Sequence, residues 1–77
     1  MTIKLTECKR GDRVRIKAID AGRGATLNLM NLGLDLGHEV ELLQRSPLRG
    51  PLLVMHGDTE IAIGYGMAQK IVVERAG

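Results

Sequence analysis

Arg13-Val14-Arg15-Ile16-Lys17-Ala18-Ile19 sets apolar side chains at 14, 16 and 18 against basic ones at 13, 15 and 17. Alternation of period two marks a strand with one face in a core and the other in water. Gly11-Asp12 just ahead of it is a turn signal. Working outward, glycines at 11, 22, 24, 33, 37, 50, 57, 64 and 66 cut the chain into short segments, the pattern of an all-β protein. His38–Arg45 (HEVELLQR) repeats the alternation, Val40 and Leu42 against Glu39 and Glu41. Pro51–Met55 (PLLVM) is a more fully apolar strand, and proline is tolerated where a strand begins. Gly57-Asp58 is a tight hairpin turn, after which Thr59–Ile63 sends Ile61 and Ile63 inward. Met67–Lys70 has the length of one helical turn, and Ile71–Glu74 closes the chain as a strand with Ile71 and Val73 inward.

One segment breaks the pattern. Ala25–Leu32 (ATLNLMNL) lacks period two and reads as two turns of helix, with Gly33 as its C-terminal cap. At about 100° per residue, Leu29 and Leu32 fall on one side and Leu27 and Met30 nearly opposite. A short surface helix needs one apolar stripe, and this one has two. The expected fold is therefore mainly β: a single domain, residues 1–77, built as a small five-stranded SH3-like barrel with one short α-helix inserted after the first strand. Its expected core is Leu5, Val14, Ile16, Leu29, Leu32, Val40, Leu42, Leu53, Ile61, Ile63, Ile71 and Val73.

Composition limits what such a domain does. Hydrophobic residues make up 44% of the 77, yet there is one Tyr and no Phe or Trp, so the core must be aliphatic. A single cysteine, Cys8, forms no internal disulfide and points to a reducing compartment. Charges spread through the first twenty residues are unlike a signal peptide, and no run reaches the length of a membrane span. The expectation is a cytoplasmic protein with no direct membrane insertion. The formal charge is only +2. The cluster Lys9, Arg10, Arg13, Arg15, Lys17, diluted by Asp12, reads as a solvated strand face, and nucleic acid is not an expected partner.

Reactive groups are sparse. His38, His56 and Cys8 are the only candidates for a soft metal site. No Cys-x-x-Cys, His-x-x-x-His or His-Glu-x-x-His spacing joins them, so neither a metal nor any other cofactor is implied. Ser46, the only serine, precedes a proline outside any nucleophile turn, and no catalysis is expected. Gly22-Arg23-Gly24 lacks the Gly-Lys-Ser/Thr ending of a phosphate loop and reads as a turn.

The unusual features are apolar groups outside the expected core. Ser46-Pro47-Leu48-Arg49-Gly50-Pro51-Leu52 is a connection with two prolines and two leucines, where polar residues are the rule. Two prolines stiffen it and lower the entropy cost of docking. Together with the spare helix stripe, it defines an expected protein-interaction surface of Leu27, Met30, Pro47, Leu48, Arg49, Gly50 and Pro51.

Taken in order, Gly11-x-x-Val14-x-Ile16, Leu29-x-x-Leu32-Gly33-Leu34-x-x-Gly37-x-Glu39-Val40, Ser46-Pro47-Leu48-x-Gly50-Pro51-Leu52, Gly57-x-x-Glu60-Ile61-Ala62-Ile63 and Ala68-x-x-Ile71-x-Val73 resemble the FeoA family over about residues 3–74. The Leu-Gly-Leu-x-x-Gly and Pro-Leu-x-Gly-Pro elements together carry the resemblance. It implies a cytoplasmic SH3-like barrel that serves as an accessory to FeoB, a membrane ferrous-iron permease with a cytosolic G-protein domain. A related domain occurs at the C-terminus of iron-dependent repressors, which implies as the alternative a metal-binding or metal-sensing regulatory role. Family members often carry Arg or Lys early in the helix, where this chain has Thr26, Leu27 and Asn28. If the partner's GTPase were stimulated, Arg23 or Arg49 would be the candidates for stabilising phosphoryl charge. Exposed strand edges leave room for weak self-association. Proline-peptide binding is not implied, because grooves of that kind are lined with aromatics and Tyr65 is alone.

Overall fold

The computed structural model describes residues 1–76. Its strands are β1 (Thr2–Lys4), β2 (Arg13–Ile19), β3 (Glu39–Arg45), β4 (Leu52–His56), β5 (Thr59–Ile63) and β6 (Ile71–Arg75), with helices α1 (Arg23–Asn31) and α2 (Tyr65–Ala68). A 3-10 turn, Leu5–Glu7, follows β1. All strands join one sheet in the order β1-β6-β2-β3-β4-β5, and every pairing is antiparallel. The mainly β, SH3-like reading holds, with one strand more than the five expected. The addition is β1, which pairs Thr2–Lys4 with Val72–Glu74 of β6. Three residues ending in Lys4 carry too little alternation to announce a strand, and the pairing is supplied from the far end of the chain.

Leu5, Val14, Ile16, Leu29, Val40, Leu42, Ile61, Ile63, Ile71 and Val73 are buried as the pattern requires, joined by Cys8, Leu34, Leu52, Val54 and Ala68. Two expected core members are corrected. Leu53 is only half-buried, and its neighbours Leu52 and Val54 point inward instead. An all-apolar run contains no phase information, so pairing decides it: Leu42 faces Val54 across β3 and β4, and Leu52 faces Ile63 across β4 and β5. Leu32 is 47% exposed, because the helix ends one residue sooner than expected. The amide of Gly33 donates to Met30 O at 2.9 Å, and that of Leu34 donates to Leu29 O at 3.0 Å. Gly33 has φ +99°, so this is a Schellman ending that only a residue tolerant of the left-handed region makes cheaply. The ending folds Leu34 back beside Leu29, and Leu34 takes the core position expected of Leu32.

A register shift in β2 corrects a third residue. Ile16 faces Val73, but Ala18 faces Val72, so Lys17 is an extra residue in a bulge. Beyond it the alternation inverts: Ala18 is exposed and Ile19 half-buried.

The outer face of the sheet carries charge in pairs. Arg13 meets Glu41 at 3.5 Å, Arg15 meets Glu39 at 3.7 Å and Lys17 meets Glu74 at 3.9 Å. Arg75 meets Asp12 at 3.4 Å. Exposed pairs of this kind stabilise little, but they neutralise the basic face of β2 with carboxylates from β3 and β6.

Candidate docking site

The loop Ser46–Pro51 leaves β3 at Arg45 and enters β4 at Leu52. Its backbone is held from inside: the Ser46 amide donates to Pro51 O at 3.2 Å and the Gly50 amide donates to Pro47 O at 3.1 Å. Closing so tight a path requires Leu48 and Arg49 both to adopt φ +57°. For any side chain with a Cβ the left-handed region is strained, roughly 1 kcal/mol or more per residue. Gly50 is the one position with no room for a side chain, since a Cβ there would lie 2.7 Å from Ser46 Cβ. Pro47 and Pro51 add stiffness at either end. The result is a rigid tip with Leu48 at its summit, 99% exposed. Arg49 leans back so that its guanidinium lies 5.9 Å from the centre of the Tyr65 ring, a weak cation–π contact that ties the tip to α2. Pro47, Arg49 and Pro51 are exposed and Gly50 is half-buried.

Helix α1 has a looser hold on the body. Only Leu29 is buried, with Ala25 and Thr26 half-buried. Leu27 and Met30 are exposed, as are Leu32 at its C-terminal end and Leu36 in the turn beyond. Leu32 and Leu36 extend the exposed apolar surface beyond what the two helical stripes announced. The helix starts at Arg23, two residues earlier than the sequence reading placed it, so a basic residue does stand in its first turn. The register also separates the two features. Residues 32–38 lead into β3 at Glu39, whereas the loop leaves β3 at Arg45. They thus adjoin opposite ends of a seven-residue strand.

The metal candidates do not converge. The rings of His38 and His56 stack with centroids 4.4 Å apart and planes 12° from parallel. Cys8 is buried elsewhere, behind the 3-10 turn, with its thiol toward Lys4 O at 3.9 Å. Burial pushes the Cys8 thiol up from its ordinary range, and the nearby Asp12 carboxylate adds to the effect. Among the described residues no three His, Cys, Asp or Glu side chains stand together as a metal site. A groove of about 200 Å³ is lined by Arg13, Glu39, Val40, Glu41, Met55 and Gly57, and two of its lining residues, Arg13 and Glu41, are paired to each other. No helix among the described residues is long and apolar enough to cross a membrane.

Comparison with known proteins gives a consistent result. Residues 3–75 match the model of the FeoA domain family. Over 72 residues the chain is 38% identical to Fe(2+) transport protein A of Methanocaldococcus jannaschii, covering 94% of this chain and 85% of that one. A crystal structure of the iron uptake regulatory protein FeoA superimposes with TM-score 0.86 at 29% identity over 99% of both chains. The solution structure of FeoA from Chlorobium tepidum gives TM-score 0.88 at 29% identity, covering 97% of this chain and 71% of that one. A manganese-dependent transcriptional repressor gives TM-score 0.89 at 24% identity, but the match spans only 42% of that protein. At that identity the likeness is one of fold.

Proposed function

The chain belongs to the FeoA family, which is involved in Fe(2+) transport, and we propose that it acts as a cytoplasmic accessory that docks on the cytosolic region of a FeoB-type iron permease. The observation that supports this reading is Leu48, fully exposed on a loop whose backbone is strained to hold it there. Burying a Leu side chain is worth about 1.5–3 kcal/mol, and folding of the domain alone gains none of that at position 48. A preorganised tip also loses little entropy when it docks. Leu48, flanked by Pro47, Arg49, Gly50 and Pro51, is the anchor of the proposed contact. Leu27 and Met30 on α1 form a second apolar contact, at the other end of β3. Docking influences the permease only through differential binding: if one conformation of the partner accepts the tip better, its population rises by that difference in affinity.

Capture of the separated cytosolic pieces of the permease by purified wild type, Leu48→Asp and Leu27→Asp tests the assignment. Loss of capture on Leu48→Asp with the fold intact supports it; equal capture by wild type and Leu48→Asp rejects the loop as anchor. Leu27→Asp separately reports whether the helix face takes part.

A further inference from the structure

We propose that the stacked His38–His56 pair is a proton-operated latch on the turn that carries Leu36. The turn Asp35–His38 is closed by three contacts. The His38 amide donates to Asp35 O at 3.2 Å, the Asp35 amide donates to His38 Nδ1 at 3.2 Å, and the Leu36 amide donates to Asp35 Oδ1 at 2.7 Å. An amide only donates, so Nδ1 of His38 carries a lone pair and its ring proton sits on Nε2. His56 has the opposite assignment. Its Nδ1 lies 3.1 Å from Glu39 O, a carbonyl only accepts, and so Nδ1 holds the proton and Nε2 the lone pair.

These two tautomers decide what acidification does. His56 takes a second proton on Nε2 without losing its bond to Glu39. His38 has only Nδ1 left to protonate. A proton there removes the acceptor of the Asp35 amide and sets two donors face to face. If His56 is already charged, it also places a second cation on a ring 4.4 Å away. The backbone of this segment stays anchored on β2, because the Gly37 amide donates to Ile16 O at 2.8 Å and the Ile16 amide donates to His38 O at 2.9 Å. The ring of His38 therefore swings off while the strand ladder and the buried Leu34 hold, and the Asp35–Leu36 part of the turn is released. The latch is closed with both rings neutral and opens when His38 takes up a proton on Nδ1.

The charged groups on the surrounding elements are Asp35 in the turn itself, Glu39 and Glu41 on β3, Arg13 and Arg15 on β2, and Asp58 and Glu60 at the β4–β5 hairpin. Glu39 and Glu41 are engaged by Arg15 and Arg13, and Asp35 Oδ1 by the Leu36 amide. The tautomers determine which bond breaks. Leu36 is 56% exposed, so its position follows the turn. The latch does not depend on the docking assignment, because its readout is a backbone amide of the free protein.

NMR of the full chain from pH 8 to pH 5 tests the proposal. Ring nitrogen shifts should report the Nε2–H tautomer for His38 and Nδ1–H for His56 at pH 8. The Asp35 and Leu36 amides should then move together with the His38 ring and not with His56. Exchange of the Asp35 amide, corrected for its intrinsic pH dependence, should rise about tenfold in acid, the equivalent of one hydrogen bond. In His56→Phe the Asp35 response should be retained, because the Asp35–His38 contact does not involve His56. In His38→Gln the Asp35 amide should no longer follow pH. Asp35 and Leu36 amides that stay still between pH 8 and 5, or that move as far in His38→Gln as in wild type, would overturn it. If a variant does not fold, the wild-type tautomers and amide shifts decide the matter alone.

Discussion

Leu42 and Leu48 stand six residues apart in the same β3–β4 hairpin, one in the strand and one in the loop, and end in opposite environments. Leu42 has no accessible surface; Leu48 is 99% exposed. Leu42 sits in extended backbone, opposite Val54. Leu48 sits in left-handed backbone that its side chain disfavours. In the sheet, the inward side chains of this size, Leu42, Leu52, Ile61 and Ile63 among them, are explained by the core they pack in. In the loop, the chain spends conformational energy to hold an apolar group away from all packing. Residues chosen for stability and residues chosen for something else are thereby separable within one hairpin.

The largest effect should come from the sheet side. Leu42→Ala should cost about 2–5 kcal/mol by lost burial and cavity formation, measured by urea denaturation, enough to leave so small a domain largely unfolded. A cost below about 1 kcal/mol would mean that the interior is not packed as described. Gly50→Ala comes next. Its Cβ would lie 2.7 Å from Ser46 Cβ and 3.2 Å from Pro47 O, and the forced shift of the loop should cost about 1–3 kcal/mol in the same assay.

Cys8 sharpens the comparison through pH. Its thiol is pushed up from 9.0 mainly by burial, so the unfolded chain releases this proton before the folded one does. Its contribution is complete below the unfolded value and declines as pH rises from there toward the folded value. The slope for this one group is at most about 1.4 kcal/mol per pH unit. Thermal melts between pH 8 and 11 should show the decline, and Cys8→Ala should remove it. A native thiol that reacts with iodoacetamide as fast as a free one would contradict its burial.

The smallest effect belongs to the loop tip. Leu48→Gly relieves the left-handed strain and should raise stability by about 0.5–1 kcal/mol while weakening capture of the permease. A variant that gains stability and keeps full capture would erase the proposed difference between the two leucines.

Period-two segments were legible because one face of each is polar. Val14, Ile16, Val40, Leu42, Ile61 and Ile63 were placed inward correctly from alternation alone. The failures fall where alternation is absent or interrupted. Leu52, Leu53 and Val54 are all apolar, so only the neighbouring strand selects the inward pair. The Lys17 bulge inverts β2 with no sign in the sequence. Leu32 was assigned to a helix that Gly33 ends early, although the Leu-Gly-Leu spelling is what a Schellman ending with a buried following residue looks like. At the candidate site, the exposed loop was visible from its prolines and leucines. The strain at Leu48 and Arg49 was not, because it follows from the closure between Ser46 and Pro51. The histidines stood at strand ends in the sequence, but their stacking depends on β4 returning beside the start of β3.

The crowding at Gly50 has a practical corollary for engineering. A methyl-sized substituent crowds Ser46 at 50, and the side chain at 49 lies over Tyr65, whereas 48 points into open solvent on a path fixed by the residues around it. Randomised libraries confined to 48, with Arg49 and Gly50 retained, should present different groups from one loop path, with the residues that tolerate the left-handed region folding most stably.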